Sequence, residues 1–455
     1  MRTHASGNTS KSSEVPLWNT LHFDILSPIF ECVAQSFPVQ EYDQSATLHE
    51  YTESEVALKQ CFLALTLVCQ FWHAAAQPYL LRVLSIRISA SPTAESTTDS
   101  KGLLDILQWL DLAQPLLPTC VRHLRLIMAD IPEESESDGC DPALLHALLR
   151  RFRGVRTVEL LDLLFDSEQL TTYASTLAAA HTEAIDLDTL ILTYGFEGET
   201  ALLCMTWFGR VSRLSIRNDS YPSTPGSADS TLDHLPARLA ARSLVIDTDY
   251  LPMSVRECLH RSPTFGSQGT LRAFRFMVSA SPVEFIHTEA PFMHPASQIL
   301  EELELDLTIF SLDVADSTYS EGGIDLSEML RLRALTLRVS LLGDTLPAWA
   351  AVYTFIGALC PPPPSHVNGP STAASVCGVQ CVTLALHNEY GLPYRKYGAQ
   401  FAQVDTALAG VPTIEQCTLD LRNFRNGSGT LEECKTWLRD HMAGLHARGV
   451  LRFVA

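Results

Sequence analysis

The chain is short of positive charge and of long apolar runs, and each shortage excludes a class of function. Its 455 residues carry 32 Lys and Arg against 52 Asp and Glu, a formal net charge of −20. That balance repels nucleic-acid phosphates and anionic membrane surfaces, so neither is expected as a partner. The longest uncharged apolar stretch, residues 346–360, is too short to span a bilayer comfortably. The opening MRTHASGNTSKSSEV is polar and lacks the apolar run of a secretory signal. A cytoplasmic or nuclear location follows as the expectation.

Motifs that carry chemistry are missing too. No GxxxxGK[ST], HExxH, GxSxG or CxxC string occurs. His22, His73, His181 and His446 are scattered, and His441 and His446 stand five apart, off one helical face. Catalytic residues, metal ligands and cofactors are therefore all expected to be none. In a chain without a secretory signal the twelve cysteines read as buried thiols rather than disulfides. Cys204, Cys417 and Cys434 fall inside strand or helix patterns.

What the chain does have is a six-residue phrase, apolar-x-x-apolar-x-apolar, that returns ten times. It runs Val121-Leu124-Leu126, Val155-Val158-Leu160, Leu187-Leu190-Leu192, Val211-Leu214-Ile216, Ala241-Leu244-Ile246, Leu271-Phe274-Phe276, Leu300-Leu303-Leu305, Leu332-Leu335-Leu337, Val379-Val382-Leu384 and Ile414-Cys417-Leu419. Successive starts are mostly about 24 to 36 residues apart, the period of a solenoid unit. The last two apolar positions alternate with polar ones, so they share one face of a short strand. Such a strand cannot bury its face alone and must be stacked.

Helical patterns lie between phrases. Asp141 is placed to cap a helix that begins at Pro142 and runs through Leu144, Leu145, Leu148, Leu149 and Phe152. Residues 346–360 and 431–447 also read as helices, with Gly449 as the stop after the second. Strand, crossover helix and strand give parallel pairing. The expected fold class is α/β, a leucine-rich-repeat-like solenoid with a curved parallel sheet over residues 102–455. Polar insertions are expected near 132–139, 219–230, 311–323 and 361–376, and a disordered tail over 1–14.

Alternating strands and helices also build eight-stranded barrels with catalytic groups at strand ends. Asp130, Asp162, Asp247, Asp249 and Asp306 do follow phrases. Ten regular units exceed eight strands, however, and the expectation is that the chain is not an enzyme. Instead, the third and fifth positions of each phrase point away from the core. His123, Arg125, Thr157, Glu159, Arg213, Ser215, Ala273, Arg275, Glu302 and Glu304 occupy them, changing from mainly basic to acidic along the array. Of these, His123, Arg125, Glu159, Arg213, Arg275, Glu302 and Glu304 are the candidate binding face for a protein substrate.

The first ninety residues follow another logic. Leu21, Ile25, Leu26, Ile29, Phe30 and Val33 form one helical stripe, and Leu58, Cys61, Phe62, Leu65, Leu67, Val68, Trp72 and Ala75 a second. The run Leu21-His22-Phe23-Asp24-Ile25-Leu26-Ser27-Pro28-Ile29-Phe30 resembles the opening of the F-box, with His22 where the family usually has Pro. Leu65-Thr66-Leu67-Val68-Cys69-Gln70-Phe71-Trp72 and Ala76-Gln77-Pro78-Tyr79-Leu80 are similar to its second half. The spacer Phe37 to Glu55 is longer than the family's usual link. In this it resembles the expanded F-box families of mushroom-forming fungi, which carry degenerate leucine-rich repeats after the module.

The resemblance covers about residues 15–85 and implies an all-α module, taken here as residues 15–88. It also implies membership of a cullin RING ubiquitin ligase, with the F-box binding the adaptor protein and the repeats binding an unknown substrate protein. Leu21, Ile25, Leu26, Ile29, Phe30, Leu65, Val68, Cys69 and Trp72 are the implied adaptor contacts or F-box core. The alternative is a leucine-rich-repeat interaction scaffold whose N-terminal helices act only as a cap.

Overall fold

The computed structural model describes residues 23–37, 53–89, 102–112, 117–129, 139–163, 183–193, 205–218, 238–248, 253–265, 269–277, 297–307, 329–341, 346–359, 378–388, 393–425 and 429–455, with isolated positions between them. The expected tail and the four expected insertions lie almost wholly outside the described residues.

Three helices come first: α1 (Phe23–Gln35), α2 (Glu53–Thr66) and α3 (Gln70–Leu80). The second sequence stripe is thus two helices rather than one. The Leu67 and Val68 N–H groups close a tight turn onto the Ala64 and Leu65 carbonyls, and Cys69 is extended (φ −166°, ψ 169°) before α3 starts. That break lets Phe71 and Trp72 pack back on the core built by α1 and α2.

Twelve strands follow: β1 (Val83–Ser89), β2 (His123–Ala129), β3 (Thr157–Leu161), β4 (Ile185–Thr193), β5 (Phe208–Asn218), β6 (Ala240–Thr248), β7 (Ala273–Met277), β8 (Glu302–Asp306), β9 (Ala334–Ser340), β10 (Cys381–His387), β11 (Gln416–Asp420) and β12 (Leu451–Val454). They form one sheet in chain order, with β1 and β12 at its two edges, so it does not close into a barrel. The pairings from β3 to β12 are parallel.

The phrase sets the register. Its middle apolar position makes one row across neighbouring strands, Val158, Leu190, Leu214, Leu244, Phe274, Leu303, Leu335, Val382 and Cys417. The next apolar position makes a second row from Leu160 to Leu419. Every phrase residue is buried except Val155, which is half-buried. A slip of one residue would turn a whole row outward, so burial fixes the pairing.

Helices fill several crossovers: α4 (Leu103–Leu112) and α5 (Leu117–Cys120) before β2, α6 (Pro142–Arg151) before β3, and α7 (Met253–Arg261) before β7. Later come α8 (Leu346–Gly357), α9 (Gly398–Ala409), α10 (Leu431–His441) and α11 (Ala443–Ala447). Asp141 caps α6 as its position suggests, its Oδ1 accepting from the Ala143 N–H at 2.7 Å. The expected helix over 431–447 is broken at Met442, and Gly449 (φ +71°) ends its second part. Cys417 and Cys434 are buried free thiols, while Cys204 lies outside the described residues.

The chain divides into two compact units. One holds α1–α3 together with Asp105–Arg125 and Arg151–Val155; the other holds Arg156–Ala455 with Arg87–Leu104 and Leu126–Arg150.

Candidate protein-interaction surfaces

The helical module has a real core. Leu26, Phe30 and Ala34 of α1 pack with Leu58 and Phe62 of α2 and Ala75 and Ala76 of α3. Phe30 is its hub, meeting Phe62, Trp72 and Tyr79 edge-on with ring centroids 5.5–5.9 Å apart, while Tyr79 stacks on Phe62 at 4.9 Å. These are favoured aromatic geometries. The Tyr79 hydroxyl donates to the Ser27 carbonyl at 3.1 Å, and Arg82 pairs with Glu31 at 3.2 Å.

The structure sorts the motif residues that periodicity leaves mixed. Leu26 and Phe30 are buried, and Leu65, Cys69 and Trp72 are half-buried against or beside this core. Ile25 and Ile29, one turn apart on α1, stay 51% and 48% exposed. Val68 is 60% exposed and its neighbour Leu67 80%. Leu21 lies outside the described residues. On α2, Val56 and Leu63 stand two turns apart and are exposed as well. Helix α2 is therefore apolar on both sides, one against the core and one bare, as expected of a helix that meets a second partner.

Three of the seven expected substrate-face residues are closed off from solvent. His123, Arg125 and Glu159 are buried. The reason is plainest for Arg125, whose guanidinium grips the Glu55 carboxylate of α2 with two contacts, at 3.1 and 3.2 Å. The outward side of β2 is thus covered by a helix, not open to a partner. Sequence alternation identifies which side of the strand a residue takes; it does not reveal what lies on that side.

The other four belong to an open polar surface further along the sheet. Arg213 and Arg275 are half-buried, Glu304 is half-buried and Glu302 is exposed. The expected change from basic to acidic is instead an interleaving of both signs. Arg275 pairs with Glu304 at 3.4 Å and with Asp306 at 3.5 Å, Arg338 pairs with the same Glu304, and Arg217 lies 3.8 Å from Asp247. Parallel pairing places Arg217 beside Asp247, Arg275 beside Glu304 and Asp306 beside Arg338. A concavity of about 380 Å³ opens here, lined among others by Arg213, Ser243, Ala273, Glu302 and Ala334. Arg338 had no place among the candidates, because it lies one residue past the end of its phrase.

Comparison with models of known protein families finds no match, and comparison with curated proteins finds none. Among the described residues no helix is long and apolar enough to cross a membrane.

Proposed function

We propose that this chain is the substrate-receptor subunit of a cullin RING ubiquitin ligase, its three-helix module binding the adaptor and its sheet face binding the substrate protein. One observation carries the reading: the module divides the F-box-like motif into a packed core and a bare apolar surface. Leu26 and Phe30 hold the helices together, while Ile25, Ile29 and Val68 of the same motif remain uncovered. A stable module does not need those three exposed, and a partner that covers them gains their burial, roughly 2 kcal/mol per large side chain.

The experiment is co-purification of the full chain with the adaptor. The full chain is the right reagent, because a fragment ending near residue 88 would leave Glu55 buried without Arg125.

A second reading has its own support. The Glu55–Arg125 pair ties α2 to the start of β2 within one compact unit, so the helices support a strand of the sheet directly, which favours an interaction scaffold with no ubiquitin role. The two readings divide on whether Ile29 and Val68 contact the adaptor.

A further inference from the structure

The starts of the middle strands carry a charge opposite to that of the whole chain. At the second position of the phrases on β6 to β9 stand Arg242, Arg272, Glu301 and Arg333. They are backbone neighbours: the Arg272 N–H donates to the Arg242 carbonyl at 2.7 Å, that of Glu301 to the Arg272 carbonyl at 2.8 Å, and that of Arg333 to the Glu301 carbonyl at 2.8 Å. Parallel pairing thus lines up basic side chains in a chain whose formal net charge is −20. The single carboxylate does not neutralise the row. Glu301 pairs with Arg272 at 3.5 Å, and Arg272 also donates to the Gly269 and Leu271 carbonyls, so the two middle residues are answered within the fold. Arg242 and Arg333, one at each end, are exposed, as is Arg331 in the turn that leads into β9. Among the described residues none of these three guanidiniums has a hydrogen bond or ion pair. The row is separate from the sheet-face concavity, whose lining includes none of its four residues.

We infer that this row takes an acidic, extended segment of a partner protein, lying across the strand starts with carboxylates on Arg242 and Arg333. Three strand intervals separate these two, about 14 Å at the usual spacing, which about four residues of extended chain cover. A guanidinium presents a planar fork of donors that matches a carboxylate, and the resulting hydrogen bonds are charge-assisted. Arg331 adds a third cation two residues before Arg333. A nucleic acid, with phosphates along its whole length, would meet the negative charge of the rest of the chain beyond this short row. A peptide segment needs only the few acids that the row answers. The inference does not rest on the ligase reading, because the row belongs neither to the helical module nor to the sheet-face concavity.

The test uses the full chain and labelled twelve-residue Gly/Ser peptides in fluorescence anisotropy at low salt. One peptide carries four Glu, one four Lys and one neither; an oligothymidylate of twelve nucleotides is the fourth probe. The native chain should bind the Glu peptide at least about tenfold more tightly than any of the others. Arg242→Glu and Arg333→Glu should each cancel that preference, with thermal melts showing that both fold; should either reversal unfold the chain, Arg242→Gln and Arg333→Gln should show the same loss. Arg153→Glu, which changes an exposed arginine of the other compact unit, should leave the preference intact. Equal affinity for the Glu and neutral peptides, no binding of the Glu peptide, tighter binding of the oligonucleotide, or an equal loss in Arg153→Glu would overturn the inference.

Discussion

Arg125 of β2 and Glu55 of α2, seventy residues apart in sequence, form a two-pronged ion pair whose side chains are 0% and 2% exposed. It fastens the second helix of the N-terminal module to the first strand that carries the repeated phrase. Removing one partner breaks a buried, two-pronged ion pair, a loss of about 3–5 kcal/mol. Glu55→Ala should therefore shift the urea midpoint of the unit containing α1–α3 far more than a surface change. Replacing both residues with apolar ones of similar size, Glu55→Leu with Arg125→Met, should restore most of the loss. If Glu55→Ala unfolds like the native chain, the pair does not fasten the module.

Adjacent positions of β8 should behave in opposite ways. Leu303 is buried in the middle apolar row, so Leu303→Ala should cost about 2–5 kcal/mol through lost burial and a cavity. Glu302→Lys, on the exposed side, should stay within about 0.5 kcal/mol. Glu304 differs from its neighbour although both are Glu at outward positions. Glu304→Lys would set a third cation beside Arg275 and Arg338 and should cost on the order of 2 kcal/mol. Chemical denaturation of the three variants gives the ranking directly; equal effects of the two Glu changes would remove the ion-pair cluster from the account.

Acid should weaken the repeats through His146. Buried on α6 and stacked on Trp207 at 5.3 Å, it shares a short hydrogen bond with the Tyr173 hydroxyl. Burial, helped by the nearby Arg150 charge, pushes its pKa down to about 4 from the ordinary 6.5. The unfolded chain then binds the proton more readily than the folded one, so stability is fully present above pH 6.5 and falls as pH drops from there toward 4. The loss amounts to at most about 3 kcal/mol. Denaturation midpoints between pH 7 and 4 should show this slope in the native chain and a shallower one in His146→Phe. The same slope in both would exclude His146 as its origin.

The repeat was legible because burial is periodic. Ten phrases fall on β2 to β11, and from β3 to β11 their middle and last apolar positions align in the register. The two edge strands escaped for identifiable reasons. At β1, Leu81, Leu84 and Ile86 have the phrase spacing, but they follow directly on a helical stripe. At β12 the first position, opposite Ile414, is Arg448, whose guanidinium donates to the carbonyls of Ala409 and Ile414 at 3.0 and 2.9 Å. An apolar pattern cannot register a residue that fills its place by hydrogen bonding. The module was partly legible: three- and four-residue spacings revealed its helices, but not that Ile25 and Leu26, side by side, take opposite environments. Arg125 was misread because alternation assigns it to the outward side, and the helix that covers that side is contributed from seventy residues away.

The most direct measurement is adaptor binding by the full chain and two variants, Ile29→Asp and Val68→Asp, with thermal melts alongside. Both residues are exposed and apolar, so neither change should move the melting temperature appreciably. The account predicts that the native chain binds at micromolar concentration or tighter and that each variant, by placing a charge in a desolvated contact, weakens binding by at least about tenfold. A folded native chain that takes no adaptor, or variants that bind as well as it does, would contradict the central claim and leave the helices as a cap.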